Sequence, residues 1–127
     1  VVSKTGKKIN ELSKEVYGLS AQKGFWIIDE ISEFSIVPIK LALIADEVSE
    51  ALRVHREEYT DTEENLSHMT VQQQEDLTEE LADIIIRVVD LYQGLLNNKE
   101  VTLSLDMVLA NKTAYNAKRP RLHGVRG

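Results

Sequence analysis

The longest stretch of this chain that lacks both glycine and proline runs from residue 39 to residue 93. The whole sequence of 127 residues contains only two prolines and six glycines. A protein of strands and turns needs these residues at short intervals, whereas helices exclude both from their interiors. The pattern therefore predicts an all-α fold, and the length suits one domain with a sizeable core, spanning residues 1–127.

Charge and composition narrow the classes of function. The net charge is −6, and a nucleic-acid-binding surface would be basic. A nucleotide ligand is still compatible with this negative charge, because bound Mg²⁺ reverses the local sign of an acidic site. The absence of cysteine excludes disulfides, zinc fingers and thiol catalysis. No apolar run is long enough to span a bilayer and no secretory signal pattern opens the chain, so we expect a cytoplasmic protein without membrane partners.

Apolar spacing predicts four helices, over about residues 5–20, 37–59, 71–97 and 103–118. Pro38 suits the first turn of the second helix, where its missing N–H costs nothing. Thr70 and Gln73 match a capping box at the start of the third helix. For residues 21–37 the sequence leaves open a loop, a helical turn and a small strand, and residues 60–69 are predicted to form a polar, acidic connection.

The two long central helices each carry more than one stripe. The predicted core stripe of the second comprises Leu41, Ile44, Ala45, Val48, Leu52 and Tyr59. That of the third comprises Leu77, Leu81, Ile84, Ile85, Val88, Leu91, Tyr92 and Leu95. Beside these stripes lie two pairs of acids, Glu47 with Glu50 and Glu80 with Asp83. Residues three apart share a helix face, so each pair presents two neighbouring carboxylates bordered by apolar side chains.

These acid pairs predict a divalent-cation site. Carboxylates are seldom placed in apolar surroundings without a partner, because losing water is costly for an ion. Oxygen ligands from two packed helices suit Mg²⁺, with Mn²⁺ as a substitute. A solvated acidic face is the usual fate of one such pair, and two pairs in apolar runs favour the metal site. A di-iron centre needs a Glu-x-x-His motif, which neither pair provides.

Other residues carry weaker signals. The last predicted helix continues its apolar face with Lys112, Asn116 and Arg119, which favours phosphate binding over a solvated helix end. Trp26 is the only tryptophan; we expect it to fill the core or a subunit interface, with a nucleobase-stacking wall as the alternative. The histidines show no metal-ligand spacing, and His55 is expected to be a buried histidine of its helix.

Taken together, three segments resemble the MazG-like family of all-α nucleoside triphosphate pyrophosphohydrolases. They are KLALIADEVSEAL, EELADIIIRVVDL and KTAYNAKRPRLHG, and the resemblance spans about residues 38–124. The family's E-x-x-E and E-x-x-D signature falls on the two acid pairs. The 29 residues between the pairs, positions 51–79, are a long spacing for the family. The extra length falls in the polar connection, so the site should survive.

The resemblance implies an antiparallel helical bundle of the oligomeric all-α NTP pyrophosphatase type. It implies a metal-binding core at about residues 38–98 and a phosphate-binding helix and tail at about residues 103–127. Self-association as a homodimer or homotetramer is expected, with active sites drawing residues from neighbouring subunits. The outward position of Ile86 on the third helix also hints at a partner subunit.

The implied reaction is the Mg²⁺-dependent cleavage of an NTP or dNTP to the monophosphate and pyrophosphate. The metal ligands would be Glu47, Glu50, Glu80 and Asp83, and Glu47 or Glu50 would serve as the catalytic base. The remaining substrate-binding residues would be Lys40, Lys112, Asn116, Arg119 and, on the stacking interpretation, Trp26. Asp76 and Asp90 are candidate further ligands.

Two alternatives to this function stay open from the sequence. Phosphoribosyl-ATP pyrophosphatases and dUTP- or dCTP-type pyrophosphatases share the fold and the type of reaction, and the base preference depends on pocket details. A non-enzymatic helical interaction module, whose acids merely solvate a groove, is the second alternative. Metal titration separates the two classes, since such a module should bind Mg²⁺ no better than a generic acidic surface.

Overall fold

The computed structural model describes residues 8–24, 26, 33–58 and 69–120. These residues form four helices and no strand: α1 (Ile9–Gln22), α2 (Glu33–Glu58), α3 (Val71–Asn97) and α4 (Leu105–Lys118). The all-α prediction is confirmed. The predicted acidic connection lies outside the described residues apart from its last residue, as do His68, His123 and the basic tail.

Helix α3 is the centre of the fold, with α1 and α2 packed against it. Lys40 of α2 meets Asp90 of α3, and Glu47, two turns further along α2, meets Arg87, which precedes Asp90. The two helices therefore run antiparallel. Ser13 of α1 donates a buried hydrogen bond of 2.8 Å to Gln93, and this helix also runs opposite to α3, since its later residue Ser20 reaches back to Asp90.

The ends of α3 follow local rules that the sequence displays. Thr70 Oγ1 accepts from the backbone N–H of Gln73, whose side chain in turn accepts from the backbone N–H of Thr70. This is the predicted capping box. The helix ends at Asn97, and Lys99 then takes a left-handed φ of 64°. Both predicted boundaries of α3 are confirmed.

Helix α4 is fixed mainly at its N-terminal end. Asn10 of α1 donates to Ser104 Oγ at 3.0 Å and accepts from the backbone N–H of Asp106 at 3.1 Å. The Tyr92 hydroxyl donates to the carbonyl of Leu103 and accepts from the backbone N–H of Leu105. Every residue from position 110 to position 120 is exposed, so the second half of α4 projects from the bundle.

Three predictions about α2 need correction. The helix begins at Glu33, so Pro38 lies inside it and not in its first turn. The stripe that packs against α3 includes Ile36, Lys40 and Ala51, all buried. In contrast, members of the predicted core stripe are half exposed: Leu41, Val48 and Leu52, at 52%, 50% and 54%. His55 is exposed as well, so its prediction as a buried histidine was wrong.

The exposed apolar residues of α2 are matched by a similar row on α3. Leu81, Ile85 and Val88 are 49%, 49% and 39% exposed. Leu41 and Val48 directly follow the inward-facing Lys40 and Glu47. Leu81 and Val88 likewise follow Glu80 and Arg87, and each successive residue of a helix is rotated by about 100°. The step from an inward-facing residue to the next one turns the side-chain direction by this angle on both helices. Because the helices are antiparallel, the two turns place both rows on the same side of the α2–α3 pair. We call this side the outer face.

Candidate functional site

The two predicted acid pairs meet across the α2–α3 contact. Glu47, Glu80 and Asp83 each offer one carboxylate oxygen, and these three oxygens lie within 4.8 Å of one another. Glu47 and Glu80 are half-buried, while Asp83 is exposed. We call these three residues the acidic triad. The antiparallel packing of α2 on α3 produces it, because one residue of the first helix comes to face two residues, three apart, on the second.

Glu80 is the least satisfied member of the acidic triad. Its Oε2 atom is buried and accepts no hydrogen bond from any described residue. The pKa of this carboxyl is raised above its ordinary value, first by burial and then by the negative charges of Asp83, Glu47 and Glu50, which Arg53 partly offsets. The negative charges around this carboxylate outweigh the positive charge of Arg53, and an excess of negative charge is the electrostatic condition under which a divalent ion binds favourably.

Glu50 stands apart from the acidic triad. Its carboxylate accepts two hydrogen bonds from Arg53, at 2.6 Å from Nη2 and 3.3 Å from Nε. This pairing lowers the pKa of the Glu50 carboxyl, so the group is ionised at neutral pH. Arg53 also reaches Glu57 at 3.1 Å. Arg53 thus engages both carboxylate oxygens of Glu50, which is not one of the three acids whose oxygens converge.

A cleft of about 410 Å³ adjoins the acidic triad. Its lining comes from all three packed helices: Val16, Leu19, Ser20, Lys23, Glu47, Asp83, Ile86, Arg87 and Asp90. The volume lies within the range of small-ligand sites. Ile86, 44% exposed, contributes to this lining, so its outward position has a role within a single chain.

The acid at the inner end of the cleft is already paired. Asp90 is buried; its Oδ1 accepts from the indole Nε1 of Trp26 at 2.8 Å and its Oδ2 from Lys40 Nζ at 3.1 Å. The Lys40 ammonium also lies 4.3 Å from the centre of the Trp26 ring, and the Tyr17 ring packs against the Trp26 ring with 5.2 Å between their centres. We call Trp26, Lys40 and Asp90 the buried polar cluster.

This cluster bears on three sequence predictions. Trp26 fills the core, as expected, and its exposed fraction of 9% leaves little ring surface for a nucleobase. Lys40, predicted to grip phosphate, is 6% exposed and bound to Asp90. Asp90, a candidate further ligand, is held by two donors. Asp76 is not among the acids whose oxygens converge, and it accepts a hydrogen bond of 2.8 Å from Gln72.

The predicted phosphate-binding residues of α4 form a separate group. The cations of Lys112 and Arg119 lie 5.4 and 5.6 Å from the ring centre of Tyr115, and Arg119 donates to Asn116 Oδ1 at 3.3 Å. None of these four exposed residues lines the cleft. The single chain therefore does not bring them to the acidic triad.

Sequence reasoning missed two features of the site. The first is the ion pair between Arg87 and Glu47, whose Nε and Oε2 atoms are 2.9 Å apart. In the sequence, Arg87 is the one base in a row of acids on α3 that steps by four and three residues, namely Asp76, Glu80, Asp83 and Asp90, but the sequence does not show its partner on α2. The second is the contribution of α1, whose residues Val16, Leu19 and Lys23 form one wall. An ordinary amphipathic pattern gives no sign of such a role.

The geometry defines a class: an all-helical chain with a carboxylate cluster beside a cleft. Comparisons with models of protein families, with curated proteins and with solved structures gave no match. No helix in the described part of the chain combines the length and apolar character needed to cross a membrane.

Proposed function

We propose that this protein is a Mg²⁺-dependent nucleoside triphosphate pyrophosphohydrolase that converts an NTP or dNTP to the monophosphate and pyrophosphate. Such an activity would serve the house-cleaning of nucleotide pools. The observation that carries the proposal is the convergence of three carboxylate oxygens within 4.8 Å, beside a cleft of about 410 Å³. The MazG-like motifs of the sequence point to the same reaction.

The residues of the acidic triad fit a hard divalent cation. Carboxylate oxygens are the ligands that Mg²⁺ prefers, with waters and substrate phosphates completing its shell. The buried, unpartnered Oε2 of Glu80 supplies an oxygen that no described protein group satisfies. Glu47, Glu80 and Asp83 would hold the ion, joined by Glu50. The bound cation would neutralise phosphate oxygens and lower the pKa of a water molecule.

The side chains of the protein would then contribute one chemical step, the acceptance of a proton. Water adds to phosphorus, the P–O bond between the α- and β-phosphates breaks, and pyrophosphate leaves. A carboxylate oxygen of Glu50 or Glu47 would accept the proton that the attacking water loses. Both are ion-paired to arginines, at 2.6 Å for Glu50 and 2.9 Å for Glu47. No nucleophilic side chain and no covalent intermediate are required.

Self-association is the second part of the proposal, with a second copy of this chain on the outer face. The spacing of Leu41, Ala45, Val48 and Leu52 alternates four and three residues, and Leu81, Ile85 and Val88 do the same. This is the spacing by which helices interlock in bundles. Two α2–α3 pairs joined through these rows would bury a four-helix core, and a homodimer or homotetramer follows. Lys112, Asn116 and Arg119 would then serve a neighbouring subunit's cleft.

The test of the reaction is product identification. The protein is incubated with each NTP and dNTP, and with phosphoribosyl-ATP, in the presence of Mg²⁺, and the products are followed by phosphorus NMR. We expect a monophosphate and pyrophosphate from at least one substrate. Diphosphate with orthophosphate, or no turnover of any of them, would refute the proposal.

A pair of variants checks the catalytic assignment. Glu50→Gln should abolish turnover without unfolding the protein, as monitored by circular dichroism. Glu57→Gln is the matched control, because Glu57 also pairs with Arg53 but lies about two helical turns from Glu50. Glu57→Gln should retain activity. Full activity in Glu50→Gln would remove this residue from the site.

A further inference from the structure

Arg87 is the cation in closest contact with the acidic triad. It lies one helical turn after Asp83 on α3, and its Nε donates to Glu47 Oε2 at 2.9 Å. Its side chain is 40% exposed, while that of Glu47 is 17% exposed. The guanidinium therefore combines an anchor on a metal-ligand candidate with open access to the cleft that both residues line.

Most of the donors of Arg87 are uncommitted. A guanidinium has five N–H donors in a planar fork, and only the one on Nε is bonded within the described part of the chain. Among the described residues, the other base in the cleft lining is Lys23, at the C-cap of α1. The remaining lysine nearby, Lys40, is turned to Asp90 in the buried polar cluster. Within the part of the chain that the structure describes, Arg87 and Lys23 are thus the basic groups that a ligand in this cleft would meet.

A divalent ion on the acidic triad would change the partner of Arg87. Both the ion and the guanidinium require the Glu47 carboxylate, and two positive charges on one carboxylate repel each other. An ion pair that is partly exposed is held weakly, so the divalent ion should displace the guanidinium. The freed fork matches the oxygens of a phosphate group, which it can bind through two parallel hydrogen bonds.

We propose that Arg87 is the phosphate-binding residue of the cleft, occupied by Glu47 until a divalent cation takes that carboxylate. The inference rests on the proposed function and assigns the grip on the polyphosphate to the chain that holds the acidic triad. Lys23 supplements it as a point charge from α1. Cation binding then couples to anion binding, because the first event releases the donor that the second needs.

This coupling predicts effects of opposite sign for one substitution. Arg87→Gln removes a competitor for Glu47, so Mg²⁺ alone should bind more tightly, by roughly threefold to tenfold. The same change removes the phosphate fork, so the magnesium complex of inorganic triphosphate should bind about tenfold or more weakly. Arg87→Lys keeps the charge without the fork and should weaken triphosphate binding by a smaller factor. If Arg87 had only a structural role, Arg87→Gln would weaken the binding of both ligands.

Isothermal titration calorimetry measures both affinities on the full chain, with circular dichroism to verify folding. Arg56→Gln is the matched control, since it removes the same charge from an exposed arginine in the last turn of α2. It should leave both affinities within about twofold of wild type. Weaker Mg²⁺ binding by Arg87→Gln, or unchanged triphosphate binding by it, would overturn the proposal.

Failure of this inference is distinguishable from failure of the proposed function. If wild-type protein hydrolyses an NTP to pyrophosphate while Arg87→Gln leaves its KM unchanged, only the role of Arg87 is refuted. If no nucleotide is hydrolysed but the two affinities shift in opposite directions, the anion-binding role of Arg87 stands without the reaction.

Discussion

The indole Nε1 of Trp26 donates a 2.8 Å hydrogen bond to Oδ1 of Asp90 across 64 positions of sequence. The other carboxylate oxygen of Asp90 binds Lys40 at 3.1 Å and lies 3.4 Å from the Ser20 hydroxyl. One buried acid thus joins the end of α1, the turn that follows it, the first half of α2 and the C-terminal half of α3. The acidic triad depends on this junction, since it fixes how α2 lies on α3.

Breaking the buried polar cluster should destabilise the fold without any ligand present. Lys40→Met leaves Asp90 as a buried charge with neutral donors only, and such losses cost about 3–5 kcal/mol. Urea unfolding in metal-free buffer measures the change. Arg53→Met is the control, because its ion pair with Glu50 is exposed and should matter far less. Equal stabilities of the two variants would contradict a structural role for Lys40.

Gly94 should tolerate no side chain while Trp26 is present. A Cβ atom built at Gly94 overlaps the Trp26 ring and would lie 2.6 Å from Cζ2 and 2.8 Å from Cζ3. Backbone and ring would have to shift, so Gly94→Ala should lower the free energy of unfolding by about 1–3 kcal/mol.

The matched control for that substitution lies in α1. A Cβ at Gly18 has nothing within 4 Å, so Gly18→Ala should stabilise the protein by about 0.5–1 kcal/mol through the better helix propensity of alanine. Thermal unfolding of both variants gives the comparison. A stabilising Gly94→Ala would show that the ring does not pack there in solution.

Glu80 should make stability depend on pH in the metal-free protein. Its pKa in the folded state is raised above 4.5, chiefly by burial. Well below pH 4.5 the group is protonated in both states and has no effect. As the pH rises from there towards the folded-state pKa, the unfolded chain ionises first, so stability falls and stays lower. Glu80→Gln removes this loss and should have a higher Tm than wild type at pH 7.

At a pH well below 4.5 the two proteins should unfold at the same temperature. Saturating Mg²⁺ at pH 7 should raise the Tm of wild type and have less effect on Glu80→Gln, because a bound ion stabilises the charged form. Glu79→Gln, an exposed neighbour outside the triad, is the control and should follow wild type. A lower Tm for metal-free Glu80→Gln at pH 7 would contradict the assignment.

A charge introduced on the outer face should dissociate the proposed oligomer. Ile85→Asp places a carboxylate within the proposed four-helix core, and a buried unpaired charge is costly. Sedimentation equilibrium should show a monomer for this variant and an oligomer for wild type. Met107→Asp, at a side chain 66% exposed on α4, should leave the oligomer intact. Monomeric wild-type protein at micromolar concentrations would exclude the arrangement.

The sequence predicted helices better than it predicted their inner sides. The start of α3 followed from Thr70 and Gln73, whose effects are local, and its end at Asn97 agrees with the range that apolar spacing predicted. The start of α2 at Glu33 did not follow, because Pro38 inside a helix violates the local rule that placed it in the first turn. Leu41 and Val48 were assigned to the core because periodicity identifies an apolar side without identifying what covers it.

The candidate site shows the same division. The acids Glu47, Glu80 and Asp83 were predictable, since acids at helical spacing within apolar runs can be recognised from the sequence alone. Their partners were not, because Arg87 meets Glu47 across 40 positions and Trp26 meets Asp90 across 64. A tryptophan N–H requires an acceptor when buried, but its sequence position does not say which one.

The contact of Trp26 with Gly94 also fixes the order in which this sequence can change. A residue larger than glycine at position 94 is accepted only after position 26 has become smaller, while a smaller residue at position 26 is accepted first and merely leaves a void. A pair with a small residue at position 26 and a large one at position 94 is therefore reached through two small residues, which leave a cavity. It is never reached through two large residues, which would overlap. Descendants of this chain should include small–small pairs at these two positions and lack large–large ones.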